Sequence, residues 1–129
     1  MEVMIINGVK ANHEFTIYNK ILDYKNYVEK YVICNIPRNN RNIRIHFLDE
    51  VYNLSKNMFY AVYNKGNIRI KYLVEMQVNI SLLDMLTSEL KIFPKIPNKK
   101  LNSATEKLSD IKNIVYAWKL NEESKKKTS

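Results

Sequence analysis

The sequence predicts an all-α protein, an antiparallel up-down-up-down four-helix bundle within residues 13–120. The first observation is the scarcity of helix breakers, since the 129 residues include only two glycines and three prolines. The second is their position, because all but Gly8 fall near residues 37, 66 and 94–97 and separate segments of similar length. The third is the spacing of apolar residues in those segments, which recur every three to four positions as on one helix face.

Four helices follow from this pattern. The first is predicted over residues 13–34, because Pro37 disfavours helix in the residue before it. The second is predicted over 41–64, the third over 68–91, and the fourth from near Asn98 onward. Short connections make neighbouring helices antiparallel. The predicted core seams, in helix order, are Ile17, Ile21, Tyr24, Val28 and Tyr31; Leu48, Val51, Ser55, Met58 and Val62; Leu73, Met76, Ile80, Leu83, Leu86 and Leu90; and Leu101, Ala104, Leu108, Ile111, Val115 and Trp118.

Two terminal segments lie outside the predicted bundle. Residues 1–12 are interpreted as an N-terminal arm, and their pattern leaves an extended arm and a loose helical turn both open. Residues 121–129 are interpreted as a disordered basic tail, since they are polar and contain three consecutive lysines.

Targeting signals and cysteine usage point to the cytoplasm. The N-terminus lacks a basic stretch before a long apolar core, so no signal peptide is expected. No apolar run approaches the roughly 20 residues of a membrane span, so no membrane contact is expected. The only cysteine, Cys34, excludes an internal disulfide and fits a reducing compartment.

The charge balance indicates a polyanionic partner. Twenty-one Lys and Arg face thirteen Asp and Glu, a formal net charge of +8 that attracts phosphate polymers. The predicted topology gathers one basic group at the end formed by the first and third connections, and we interpret this group as the nucleic-acid-binding site: Arg38, Arg41, Arg44, Lys91, Lys95, Lys99 and Lys100. A secondary basic group falls at the opposite end: Lys65, Arg69 and Lys71. The alternative is that these residues solvate the turns and complement helix dipoles.

Aromatic residues are abundant, with nine tyrosines among them. Five aromatic positions are predicted to form an interface between subunits: Tyr52, Phe59, Tyr63, Tyr116 and Trp118. Such side chains also stack on nucleic-acid bases. We favour the interface because the second and third helices carry apolar groups beyond one stripe.

Catalysis and metal binding are not predicted. The two histidines, His13 and His46, have no metal-ligand spacing, and two glycines cannot build a phosphate-binding loop. Arg41 and His46 do have the Arg-x4-His spacing of HEPN-type ribonucleases, in which Arg contacts RNA phosphate and His transfers protons. Residues five apart do not share a helix face well. We therefore predict a protein without enzymatic activity, cofactor or metal, and keep this ribonuclease as an alternative.

Local features over about residues 20–120 resemble one family of four-helix bundles. The features are Ile36-Pro37-Arg38 after the first helix, Glu89-Leu90-Lys91 ending the third, and Leu108-x-x-Ile111 followed by Ile114-Val115-x-x-Trp118 in the last. The chain is similar in these respects to the accessory variability determinant (Avd) proteins of diversity-generating retroelements and to the proteins encoded in ribosomal-RNA intervening sequences.

The resemblance implies a pentameric, ring-like assembly with a basic surface. For Avd it implies association with a reverse transcriptase and with template-repeat RNA and cDNA during mutagenic reverse transcription. The alternative is the intervening-sequence branch, with an RNA-binding role. Family members often carry arginines in the third helix, where this chain has Ser81, Asp84 and Met85. On this resemblance, any nucleic-acid path here uses the arginines of the first connection instead.

Overall fold

The computed structural model describes residues 12–128, and the side chains of residues 16–125. Residues 1–11 of the predicted N-terminal arm therefore lie outside the described residues. Four helices make up the described chain: α1 (Asn12–Tyr31), α2 (Arg41–Val62), α3 (Gly66–Glu89) and α4 (Asn98–Thr128). Between residues 12 and 128 the structure contains no strand, and the helices pack against each other as the sequence predicts.

The three connections are short. Single turns of 3-10 helix over Ile33–Asn35 and Arg38–Asn40 flank Pro37 between α1 and α2. A third turn, Leu90–Ile92, follows α3 directly. Gly66 begins α3 with a φ of 63°, a left-handed conformation that glycine adopts without the steric cost of a Cβ atom.

The first and last described helices pack together, and α1 contacts α4 more extensively than it contacts α2. Lys20 lies 3.6 Å from Asp110, and Lys107 donates a hydrogen bond to Asp23 at 2.8 Å. The earlier residue of α1 thus meets the later residue of α4, so these two helices run antiparallel.

A buried polar network joins α2 to α3. The Asn57 side chain donates to Asn79 Oδ1 at 2.8 Å, and Asn79 Nδ2 donates to Glu50 at 3.0 Å. Polar side chains between two packed helices stabilise only the helix alignment in which they are hydrogen-bonded to each other. The network therefore fixes the register of α2 against α3.

The core confirms most of the predicted seams. All predicted seam residues of the third and fourth helices are buried, as are those of the first except the half-buried Tyr31. The seam predicted for the second helix is wrong at Leu48, which is exposed, and at Ser55, which is half-buried, whereas the half-buried Val62 packs against the core. The predicted Val51 and Met58 are buried, and the other buried residues of α2 are Phe47, Leu54, Asn57 and Ala61.

The disorder predicted for residues 121–129 is wrong as far as Thr128, because α4 continues to that residue. The physical reason is Glu122, which is buried and hydrogen-bonded to residues at the start of α3. None of the helices described here combines the length and apolar character that a membrane span requires.

Tyr24 is a buried polar group inside the bundle. Its side chain is inaccessible to solvent, and its hydroxyl has no hydrogen-bond partner among the described residues. Burial, with a smaller contribution from the negative charge of Asp84, raises the pKa of this hydroxyl above its ordinary value of 10.0. The folded protein therefore holds Tyr24 neutral where an unfolded chain ionises it.

We expect the folded state to lose stability above about pH 10 through Tyr24. Below that pH the hydroxyl is protonated in both states. Above it the unfolded chain releases a proton that the folded chain retains, so the unfolding free energy falls by about 1.4 kcal/mol per pH unit. Urea denaturation at pH 8 to 11 checks this, with Tyr24→Phe as comparison. The variant should lose less stability over the same range, and an identical loss would contradict the assignment.

Candidate nucleic-acid interface

The three arginines of the first connection come together in one groove. Arg38 lies in the 3-10 turn, Arg41 is the first residue of α2, and Arg44 lies one turn further on. With Ile45 and Leu48 they line a shallow depression of about 430 Å³, which we term the arginine groove. Arg38 and Arg41 are exposed, so both guanidinium groups are accessible to a phosphate.

Arg44 has a partly structural role. Its Nη2 donates to the carbonyl oxygen of Ile36 at 2.6 Å, which ties the middle of the first connection to α2. The side chain is half-buried, and its Nε has no hydrogen-bond partner among the described residues. Arg44 therefore shapes the groove, and Arg38 and Arg41 are its accessible cations.

The start of α2 adds to the positive field of the arginine groove. Asn40 makes no side-chain capping bond to this helix, and no acidic residue occupies its first turn. The first backbone N–H groups and the helix dipole therefore present partial positive charge without local compensation. An anion in the groove therefore meets two exposed cations close to this helix start.

The lysines predicted for this site belong to the same end of the bundle, where α1 and α3 end and α2 and α4 begin. Lys100 is half-buried, with its Nζ 4.1 Å from the centre of the Tyr31 ring. Lys30 also lies over this ring, at 5.2 Å. The other predicted lysines are exposed: Lys91, Lys95 and Lys99.

The secondary basic group is wrong at Arg69, which is only 7% exposed. Its Nη1 donates to Glu122 at 3.1 Å, and its Nε donates to the carbonyl oxygen of Ala61 at 2.8 Å. Glu122 also accepts from the backbone N–H of Gly66 at 2.8 Å. Arg69 therefore satisfies a carbonyl at the end of α2 and pairs with α4. Lys65 and Lys71 of the same predicted group are exposed.

The predicted interface residues fall into two classes. Tyr52, Tyr63 and Tyr116 are exposed, and Phe59 is half-buried against the core. Trp118 is wrong as an interface residue, because it is 2% exposed and lies in the core beneath the Arg69 guanidinium, 5.1 Å away. Trp118 is also part of the core seam predicted for the fourth helix, and that prediction is the correct one.

A second groove follows the first along α2. Its volume is about 340 Å³, and it is mostly apolar. Tyr60, at its edge, stacks on Tyr72 of α3 with ring centres 4.7 Å apart. We term this depression the tyrosine groove, and its lining residues are Tyr52, Ser55, Lys56, Phe59, Tyr60 and Tyr63.

The residues of the alternative ribonuclease do not share a groove. Arg41 lines the arginine groove, whereas the exposed His46 is not among its lining residues. Five positions along a helix correspond to about 140° around its axis, so the two side chains leave α2 in different directions. Among the described residues, no three His, Cys, Asp or Glu side chains gather as a metal site requires.

Comparisons of the chain with known protein families, curated proteins and solved structures found no match.

Proposed function

We propose that this protein binds nucleic acid without catalysing a reaction on it, through phosphate contacts at the arginine groove. One observation carries the proposal: Arg38 and Arg41 stand exposed in one groove at an uncapped helix start. The exposed lysines of the same bundle end extend the positive surface around it. Phosphate contacts of this kind supply affinity and little sequence discrimination.

The resemblance in sequence extends this proposal to a biological role. By analogy with Avd, the protein is an accessory factor in the cytoplasm that associates with a reverse transcriptase, template-repeat RNA and cDNA during mutagenic reverse transcription. A reverse-transcriptase gene beside paired variable and template repeats would support this role. Location of the gene inside a ribosomal-RNA operon would support the intervening-sequence branch instead.

The binding site is tested by removing its two accessible cations. We expect the Arg38→Ala/Arg41→Ala variant to bind single-stranded RNA severalfold to tenfold more weakly than the wild type. The slope of log K against log salt should flatten by roughly 1.4, since each lost phosphate contact removes about 0.7 for single strands. Fluorescence anisotropy of labelled RNA over a salt series measures both quantities. Arg44 stays unchanged because of its bond to Ile36.

The matched control removes the same charge from the opposite end of the bundle. Lys65 and Lys71 are both exposed, and Lys65→Ala/Lys71→Ala lowers the net charge equally. We expect this variant to retain most of the affinity. An equal loss in both variants would mean that net charge alone attracts the RNA, and the arginine groove would no longer be the site.

Assembly is a separate part of the proposal. Four apolar residues on or just beyond α3 are exposed at spacings of four and seven: Val74, Val78, Met85 and Ile92. Spacings of this kind align side chains along one helix face, and exposed apolar stripes mark contacts with other chains. We therefore expect a homo-oligomer, of five subunits by the resemblance. Light scattering at micromolar concentration tests this, and a monomer mass would contradict it.

A further inference from the structure

The helix α2 has two apolar faces, and only one of them is buried in the core. The second face points outward and carries apolar or aromatic residues at spacings of three, four, seven and four: Ile45, Leu48, Tyr52, Phe59 and Tyr63. Four of these five are exposed, and the two tyrosines are each 67% exposed. A helix with this pattern normally has a partner on each apolar face.

The arginine groove and the tyrosine groove follow one another along this outward face. Ile45 and Leu48 line the first, and Tyr52, one turn further on, begins the second. The 22 residues of α2 are about 33 Å long at 1.5 Å per residue. The outward face therefore offers cations at its start, aliphatic groups next, and aromatic rings beside Lys56 at its end. The exposed Asp49 lies on this side of the helix between the two grooves, so the cations exceed the acids along the face but are not without one.

We propose that a single strand of nucleic acid lies along this face of α2. Its phosphates contact Arg38, Arg41 and Lys56, and its unpaired bases stack on Tyr52 and Tyr63. This inference rests on the proposed function. It adds that the nucleic acid is single-stranded and that it follows the outward face of α2. Positive grooves interleaved with aromatic rings are how proteins hold single strands, at site sizes of about 4–16 nucleotides.

A duplex fits this face less well than a single strand. In a duplex the base faces are stacked on one another, so aromatic side chains cannot reach them, and only the phosphates are available to the protein. Binding of a duplex would use Arg38 and Arg41 and leave the exposed tyrosines without contacts.

A second copy of the chain also fits this face less well. None of the described residues lining the two grooves is acidic, whereas three arginines and Lys56 line them. A second copy would bring the same excess of cations, with the exposed Asp49 between its grooves against three arginines and Lys56. The cores of protein interfaces are depleted of charged groups, whereas a polyanion neutralises them.

The test compares a ring-deleting change with a ring-preserving one. The probes are labelled single-stranded RNA of about 12 nucleotides, within the usual site size, and the same sequence annealed to its complement. For Tyr52→Ala/Tyr63→Ala, which removes two stacking rings, we expect single-strand binding about 30-fold weaker or more, with duplex binding and the salt slope unchanged. Tyr52→Phe/Tyr63→Phe should retain wild-type affinity, and Tyr116→Ala controls for loss of an exposed tyrosine on another helix.

The outcomes separate this inference from the proposed function. If the wild type binds the single strand and the alanine variant binds it equally well, the path along α2 is wrong and the arginine groove stands alone. If the variant loses self-association in light scattering but keeps its RNA affinity, the face is a subunit interface and the inference is overturned. If the wild type binds neither probe, both proposals fail.

Discussion

Arg69→Ala is expected to lower the free energy of unfolding by about 3–5 kcal/mol, the usual effect of breaking a buried ion pair. The change leaves the buried Glu122 carboxylate without its arginine, and Ala61 and Val62 lose a donor to their carbonyl oxygens. Urea denaturation followed by circular dichroism measures the loss as a lower midpoint at unchanged slope.

Two variants make this result specific. Lys71→Ala removes an exposed cation from the same helix and should change stability by no more than about 0.5 kcal/mol. Arg69→Met/Glu122→Leu removes both charges. It should recover much of the stability lost in Arg69→Ala, because no buried carboxylate is then left without its arginine. If Arg69→Ala unfolded no more easily than Lys71→Ala, the ion pair would have no structural role.

Ending the chain after Leu120 is expected to lower the melting temperature by roughly 10 °C or more. This truncation removes Glu122, the carboxylate that neutralises the buried Arg69, at a cost of about 3 kcal/mol or more. It also frees the backbone N–H of Gly66 at the start of α3. Thermal unfolding followed by circular dichroism gives the difference from the full chain.

The matched truncation ends the chain after Ser124. It keeps Glu122 and removes Lys125, an exposed side chain whose Nζ lies 3.9 Å from Glu122. Because the Lys125 side chain is 62% exposed, its ion pair with Glu122 is screened by solvent and should contribute about 1 kcal/mol or less, so this variant should melt close to the full chain. If the two truncated chains melted at the same temperature, residues 121–124 would not contribute to stability, as expected for the disordered tail that the sequence pattern predicts.

The core seams predicted from the sequence are most accurate in α3 and α4. Every predicted seam residue of these two helices is buried. The seam of α4 is its main apolar stripe, and the six-residue seam predicted for the third helix is longer than the exposed stripe of Val74, Val78 and Met85 on the same helix, so the longer stripe is the one removed from water. In α2 two stripes compete, one containing Leu48 and the other Phe47. The choice between them depends on which neighbours α2 meets, and local spacing does not contain that information.

In the candidate site, too, the features set by residues close in sequence were predictable and those set by distant residues were not. The groove around Arg38 and Arg41 was predictable, because a short connection keeps its residues close in space wherever the helices lie. The burial of Arg69 was not, since its partner is 53 positions away in a segment that is polar by composition. Charge patterns in a sequence locate cations on a helix but do not reveal which of them a distant carboxylate neutralises.

The pairing of α1 with α4 has a consequence for the synthesis of the chain. The first described helix leaves the ribosome before its main neighbour exists, and 66 residues (32–97) separate the two helices. At about 5–20 residues per second, that interval lasts roughly 3–13 s. During this time α2 and α3 can pair locally, while α1 still presents Ile17, Ile21 and Val28 to whatever surrounds the nascent chain. The bundle closes only when α4 emerges, so its assembly depends on the last of the four described helices.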